Sequence, residues 1–183
     1  DLEEIAESDT LVCFDDLGRF VLKNEKDPQV LTAAIRLLWE CEDPKLIPAF
    51  LEILSHPDGG LRAAAAEALG LFIYLGELEE IPNDKQKKIE DILLAIFSTD
   101  PEINVRRKAL ESLGYSPRKE VIKHIRDGYQ NQQAAWQASA LVAMGRSADM
   151  RWKTYVLENI RNDFTEIQVE AIRAAGLLEL ADA

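Results

Sequence analysis

GGLRAAAAEALGLF, residues 59–72, is the stretch on which the fold turns. Four alanines follow an arginine, and the only ionisable side chains are Arg62 and Glu67. Alanine is the residue that enters a helix at least cost, so the run reads as helix without any chemistry of its own. Its ten central residues, Leu61–Gly70 (LRAAAAEALG), match Val105–Gly114 (VRRKALESLG) at five positions. The same frame fits Trp136–Gly145 (WQASALVAMG), Ile167–Gly176 (IQVEAIRAAG) and, more loosely, Val30–Trp39 (VLTAAIRLLW). Starts at 30, 61, 105, 136 and 167 are spaced 31, 44, 31 and 31 residues apart. Spacings of this size are the mark of stacked helical repeats, in which each unit buries its apolar face against the next.

The fifth position of the frame is always alanine: Ala34, Ala65, Ala109, Ala140 and Ala171. The first is always large and apolar: Val30, Leu61, Val105, Trp136 and Ile167. On a helix, positions 1, 5 and 8 share one face, with 2, 6 and 9 beside it, so a small residue stands at the centre of a broad apolar face. Small side chains there allow a second helix to approach closely. A first helix is expected ahead of each frame, at 10–22, 45–55, 85–98, 117–127 and 150–162, with Asp9, Asp43, Asp84, Ser116 and Asp149 as N-caps. Polar turns at Asp27-Pro28, His56-Pro57-Asp58 and Asp100-Pro101 separate the helices of a pair. The 13 extra residues of the 44-residue step fall after Gly70; the second helix there is expected to run on towards Leu78, with a loop around Ile81-Pro82-Asn83. Trp136, at the first position, is expected in the core, and Trp152, on a first helix, on the outer side.

The pattern Leu61-Arg62-x-x-Ala65 … Leu69-Gly70, with its counterpart at 105–114, an Asp-Pro turn and the helix IPAFLEIL (Ile47–Leu54), resembles a HEAT repeat. The 31-residue period is similar to the short variety of phycobilisome-lyase-like proteins. The resemblance spans residues 9–180, strongest at 43–76 and 99–115. It implies an all-α fold, a right-handed α-solenoid of about five HEAT-like helix-turn-helix repeats at 9–42, 43–83, 84–115, 116–148 and 149–183. These form one array, itself open to being a segment of a longer one. First helices would lie outside and second helices would line a concave face. It also implies that Arg62 and Arg106 pair with acidic groups of neighbouring turns. The motif is structural, so it carries over no catalytic residue.

Hydrophobic residues make up 47% and charged residues 30% of the 183, as in ordinary folded domains. Net charge is −12, and residues 1–60 hold 14 acidic against 5 basic side chains, whereas residues 61–183 hold 19 against 16. A basic stripe for a phosphate backbone is lacking, which argues against nucleic acid. No run has the length of a membrane helix, and no signal peptide opens the chain. Cys13 and Cys41 are too few for a disulfide framework or a zinc site and read as inert buried thiols in a cytoplasmic protein. His56 and His124 lack a second ligand at helical spacing, so no metal and no cofactor is expected. Asp15 and Asp16 point about 100° apart on a helix and make a poor acid/base pair.

What remains is a surface. Projecting positions 3, 7 and 10 of the frames gives an exposed ridge of mixed charge, with Arg36, Trp39, Glu67, Tyr74, Arg107, Glu111, Val142 and Arg173 as candidates for contact with a protein or peptide. Trp39 and Tyr74 are the expected aromatic anchors. The function expected is a non-catalytic interaction scaffold. Two alternatives stand beside it: a lyase or chaperone handling a tetrapyrrole chromophore or its carrier protein, implied only by the short-repeat resemblance, and nucleic-acid binding. The last frame stays apolar through Leu177, Leu178 and Leu180 with no cap or stop signal, so further repeats or self-association are expected to cover that end.

Overall fold

The computed structural model describes residues 11–38 and 41–180, with side chains from residue 18 onward in that range. Asp9, Trp39 and the side chains of Cys13, Asp15 and Asp16 lie outside the described residues. Helix α1 (Leu11–Asn24) pairs with α2 (Pro28–Leu37). A 3-10 turn (Pro44–Leu46) leads into α3 (Ile47–Ile53), which packs on α4 (Gly59–Glu77). Then come α5 (Asn83–Thr99) with α6 (Ile103–Leu113), and α7 (Lys119–Tyr129) with α8 (Ala134–Arg146). A second 3-10 turn (Met150–Trp152) precedes α9 (Lys153–Asn159), which packs on α10 (Thr165–Leu177). The second helices form a row in which α2 touches α4, α4 touches α6, α6 touches α8 and α8 touches α10. The chain is an α-solenoid.

The frame's alanines make that row possible. Ala65, Ala109, Ala140 and Ala171 are fully buried, as are Leu61, Val105 and Ile167, with Trp136 nearly so. The first frame departs from this: Val30 is exposed, while Leu31, Ile35 and Leu38 are buried. These three are spaced i, i+4, i+7, so α2 is turned by one residue and its neighbours cover positions 2, 6 and 9.

Aspartates start several of these helices. The Asp27 carboxylate accepts from the Gln29 amide at 2.8 Å, and Asp58 accepts from Leu61 at 2.9 Å. Asp43 and Asp149 cap the two 3-10 turns, accepting from Lys45 and Arg151. Asp84, expected as a cap, instead lies in the first turn of α5, whose cap residue is Pro82. A carboxylate in the first turn still meets the positive end of the helix dipole. Ser116 accepts from the Arg118 amide at 3.3 Å, two residues ahead of the cap residue Arg118.

The chain's surplus after Gly70 is helical. α4 has 19 residues and α5 has 17, against 11 in α6, and only a short turn through the buried Ile81 joins them. Trp152 also departs from expectation, being only 1% exposed with its ring 5.7 Å from that of Tyr155. It sits in the 3-10 turn that opens the last helix pair, at the place where Leu46 of the earlier 3-10 turn is also fully buried, so a first helix turns this side chain inward.

The end of α10 is capped, contrary to expectation. Glu179 has φ 53°, its amide donates to the Gly176 carbonyl, and Leu180 donates to Ala175 at 3.0 Å. This is a Schellman turn, built without the usual glycine. α4 closes in the same way through Glu79, φ 60°. Left-handed backbone costs a residue with a β-carbon roughly 1–2 kcal/mol, offset in part by glycine's larger entropy loss. Glu79→Gly should therefore raise stability by about 1 kcal/mol in urea unfolding; an unchanged or lower midpoint would show the turn to be unstrained.

A buried ion pair ties successive repeats. The Arg62 guanidinium donates to both Asp100 oxygens, at 2.8 and 3.0 Å, and through its remaining nitrogen to the carbonyls of His56 and Pro57. Both side chains are nearly enclosed. Arg106 does not take an acid in the same manner. Its Nε donates to the Phe97 carbonyl at 2.8 Å, and its guanidinium lies 5.6 Å from the Trp136 ring centre; the place five residues before the next frame, where Arg62 finds Asp100, is here Asn131.

Candidate functional site

The inner faces of α4, α6, α8 and α10 line a hollow of about 440 Å3. Polar side chains cross it in a connected series. Lys108 donates to Glu67 and to Glu111, each at 2.8 Å. Ser139 donates to Glu111 at 2.6 Å and accepts from the Arg107 Nε at 2.9 Å. Arg107 reaches on to Glu166 at 3.2 Å. Four helices are thereby linked through α6, since Glu67 lies on α4, Ser139 on α8 and Glu166 on α10. Burial works against the Lys108 ammonium, but Glu111 and Glu67 outweigh it and hold its pKa above the ordinary lysine value.

A second hollow, of about 480 Å3, adjoins the first and shares Glu67 and Arg146 with it. Its wall is aromatic. Tyr74 is 43% exposed, its ring centre 5.3 Å from that of Tyr115. The Arg146 guanidinium carbon lies 5.2 Å from the Tyr115 ring centre, a cation–π contact. The Arg146 Nη1 is buried and has no acceptor among the described residues.

Helix pairs are stacked with their second members in a row, and four of the five frames close on Ala-Leu-Gly or a close variant. Residues 21–83 match the family model described as HEAT repeats. The match runs from the end of α1 to the start of α5, and the helix pairs beyond it continue the same stack. The match names no narrower type. Among solved structures, the crystal structure of an engineered protein from a structural genomics consortium is similar in fold. It superposes with a TM-score of 0.50 at 19% identity, covering 89% of this chain and 79% of that one. A search of curated proteins found no match.

Along the array, Glu67, Arg107, Glu111, Val142 and Arg173 line the first hollow together. Tyr74 stands in the second. Arg36 is exposed on α2 and borders a smaller hollow that Glu67 also lines. Trp39 lies outside the described residues. Glu111 is only 5% exposed and spends its carboxylate on Lys108 and Ser139, so it shapes the hollow from within. Arg173 is bridged to Glu170 at 2.7 Å.

The strip itself is turned relative to the ridge projected from the frame. Ala63 and Ala138, at the third position, are buried, and so are Gly70, Gly114 and Gly145 at the tenth. The hollows are lined mainly from positions 4, 7, 11 and 14, which in α4 are Ala64, Glu67, Leu71 and Tyr74, with Arg107 and Ala138 adding the third position in α6 and α8. Lys108 and Ser139 occupy the fourth position, and Tyr115 and Arg146 the eleventh; all four were missed. A 3-4-3 spacing continued past the glycine would have found them. His56 accepts from the Asp58 amide, and the His124 ring lies 4.6 Å from Phe97, so both serve local packing. Cys41 is half-buried against the core. Among the described residues no helix is long and apolar enough to cross a membrane.

Proposed function

We propose that this HEAT array is a non-catalytic scaffold holding a segment of a protein partner along the strip lined by its second helices. The observation that carries this is the run of Tyr74, Tyr115 and Arg146 beside two adjoining hollows. Tyrosine and arginine are the residues that most often anchor interfaces, and here they stand half-open on a rigid wall. Arg146 borders both hollows, where a guanidinium suits a carboxylate or carbonyl of the partner. The first hollow has four carboxylates and four cations in its lining, a balance that suits a peptide of mixed charge and gives a nucleic-acid backbone no basic track to follow.

Affinity capture from the source cell tests this, using wild type, a Tyr74→Ala/Arg146→Ala variant and an outer-helix control, Lys123→Ala. The double variant should recover the partner at least about tenfold less well than the other two, with its unfolding curve intact. Equal recovery by all three would remove the strip from consideration.

A further inference from the structure

The glycines that close the second, third and fourth frames have one consistent neighbour. A β-carbon placed on Gly70 would lie 3.1 Å from the Ser112 β-carbon. On Gly114 it would meet the Ala143 Cα at 2.6 Å, and on Gly145 the Ala174 Cα at 2.8 Å. Ser112, Ala143 and Ala174 are each the eighth residue of the following frame. Three times over, then, a glycine of one second helix receives a small residue of the next. Gly176 closes the last frame, and a β-carbon there would meet nothing within 4 Å.

The residues around Gly176 tell the same story by burial. At the sixth position Ile35, Ala66, Leu110 and Leu141 are at most 2% exposed, whereas Ile172 is 54% exposed. Leu177, beside it, is 57% exposed. Ile160, Ile172, Ala175, Gly176 and Leu180 line a groove of about 540 Å3 along this face. The chain also leaves α10 as it leaves α8. Glu179, at φ 53°, and Ala148, at φ 49°, both occupy the thirteenth position, and each donates its amide to the closing glycine's carbonyl. After Ala148 that turn delivers the chain to Asp149, which caps the start of the next helix pair.

We propose that the α10 face seats the second helix of one more repeat of this frame, carried by the same polypeptide, with alanine or serine at its eighth position over Gly176. The geometry is that of the α8–α10 contact continued by one step. A second copy of the chain docked head-to-tail does not satisfy it. Its first frame has Leu37 at the eighth position, and a leucine side chain is too large for a contact of 2.6–3.2 Å between helices.

The test compares the 183-residue chain with one in which a copy of residues 149–180 follows directly after Glu179, each with and without Gly176→Leu. In the extended chain, hydrogen exchange of the α10 amides should slow by at least about tenfold, because the helix gains a covered face. Gly176→Leu should abolish that slowing, yet leave the unextended chain as stable as before or slightly more so. Unchanged exchange on extension, or an equal effect of Gly176→Leu in both chains, would overturn the proposal. So would sedimentation showing that the 183-residue chain dimerises with its α10 amides protected, since a second copy would then be the occupant. In the polypeptide isolated from its source, intact mass and peptide sequencing should find a further frame with Ala or Ser at position eight. A mature chain ending at Ala183 also overturns it.

Discussion

Arg62→Ala should destabilise the protein by about 3–5 kcal/mol, because removing one member of a buried, fully hydrogen-bonded ion pair strands the other. Asp100, 8% exposed beside Arg62, would keep the Glu102 amide as a donor and lose both guanidinium bonds. The carbonyls of His56 and Pro57 would lose their donor at the same time, loosening the turn between α3 and α4. Urea unfolding at neutral pH measures the loss, and a cost below about 1 kcal/mol would place the pair with ordinary surface bridges. The pair also has a pH signature. The hydrogen bonds from Arg62, aided by the Glu102 amide, hold the Asp100 carboxyl below the usual carboxylate range. A depressed folded pKa contributes stability that is complete above the unfolded value of about 4 and is lost as pH falls through the folded value. Wild type should therefore shed this contribution only below about pH 4. Asp100→Asn should be less stable throughout and show a shallower decline over that same acid range. Parallel acid limbs in the two proteins would dissociate the pair from the pH dependence.

Gly114→Ala should cost about 2–3 kcal/mol, at the upper end of what overpacking a core costs, although alanine is the better helix former by about 1 kcal/mol. The added β-carbon would stand 2.6 Å from the Ala143 Cα and 2.8 Å from its carbonyl oxygen. Those are backbone atoms of α8, so relief requires two helices to move apart, and the loss spreads along the row. Gly176→Ala is the matched control. It meets nothing, so only the propensity gain remains and stability should rise by up to about 1 kcal/mol. Opposite signs at two equivalent frame positions, read from thermal or urea midpoints, are the expected result. A loss at both, or at neither, would show that the glycines serve the helix ends and not the contact between repeats.

These two positions also show how far the residues alone could be followed. The frame LRAAAAEALG carried the repeat, because close packing of identical units demands a small residue at the same place each time. Arg62 was legible as a pairing residue through its place in that frame, and Asp100 did prove to be its partner. Arg106 occupies the same place but turns to the Phe97 carbonyl and the Trp136 ring, since the next turn carries Asn131 where its acid would stand. Trp152 was placed on the outer side because it belongs to a first helix, yet such a helix also has an inner face, which Trp152 fills as Leu46 does in the equivalent 3-10 turn.

The candidate site was less legible than the fold. Tyr74, Glu67 and Arg107 were singled out from the frame, whereas Tyr115, Arg146, Lys108 and Ser139 were not. The tenth position seemed to be at the edge of the open face, but glycine there is the point of closest approach to the next helix. That contact turns each second helix, so the open strip shifts mainly to positions 4, 7, 11 and 14.

By itself, then, the sequence determined the helix pairs and their repeat, because periodic burial is written locally in each frame. Only the tertiary structure decided how each helix is turned about its own axis, which charges meet across repeats and which face of α10 is left uncovered. Those depend on contacts between residues some 30 to 60 positions apart, such as Arg62 with Asp100 and Arg107 with Glu166, and no local pattern records which of several available partners a side chain takes.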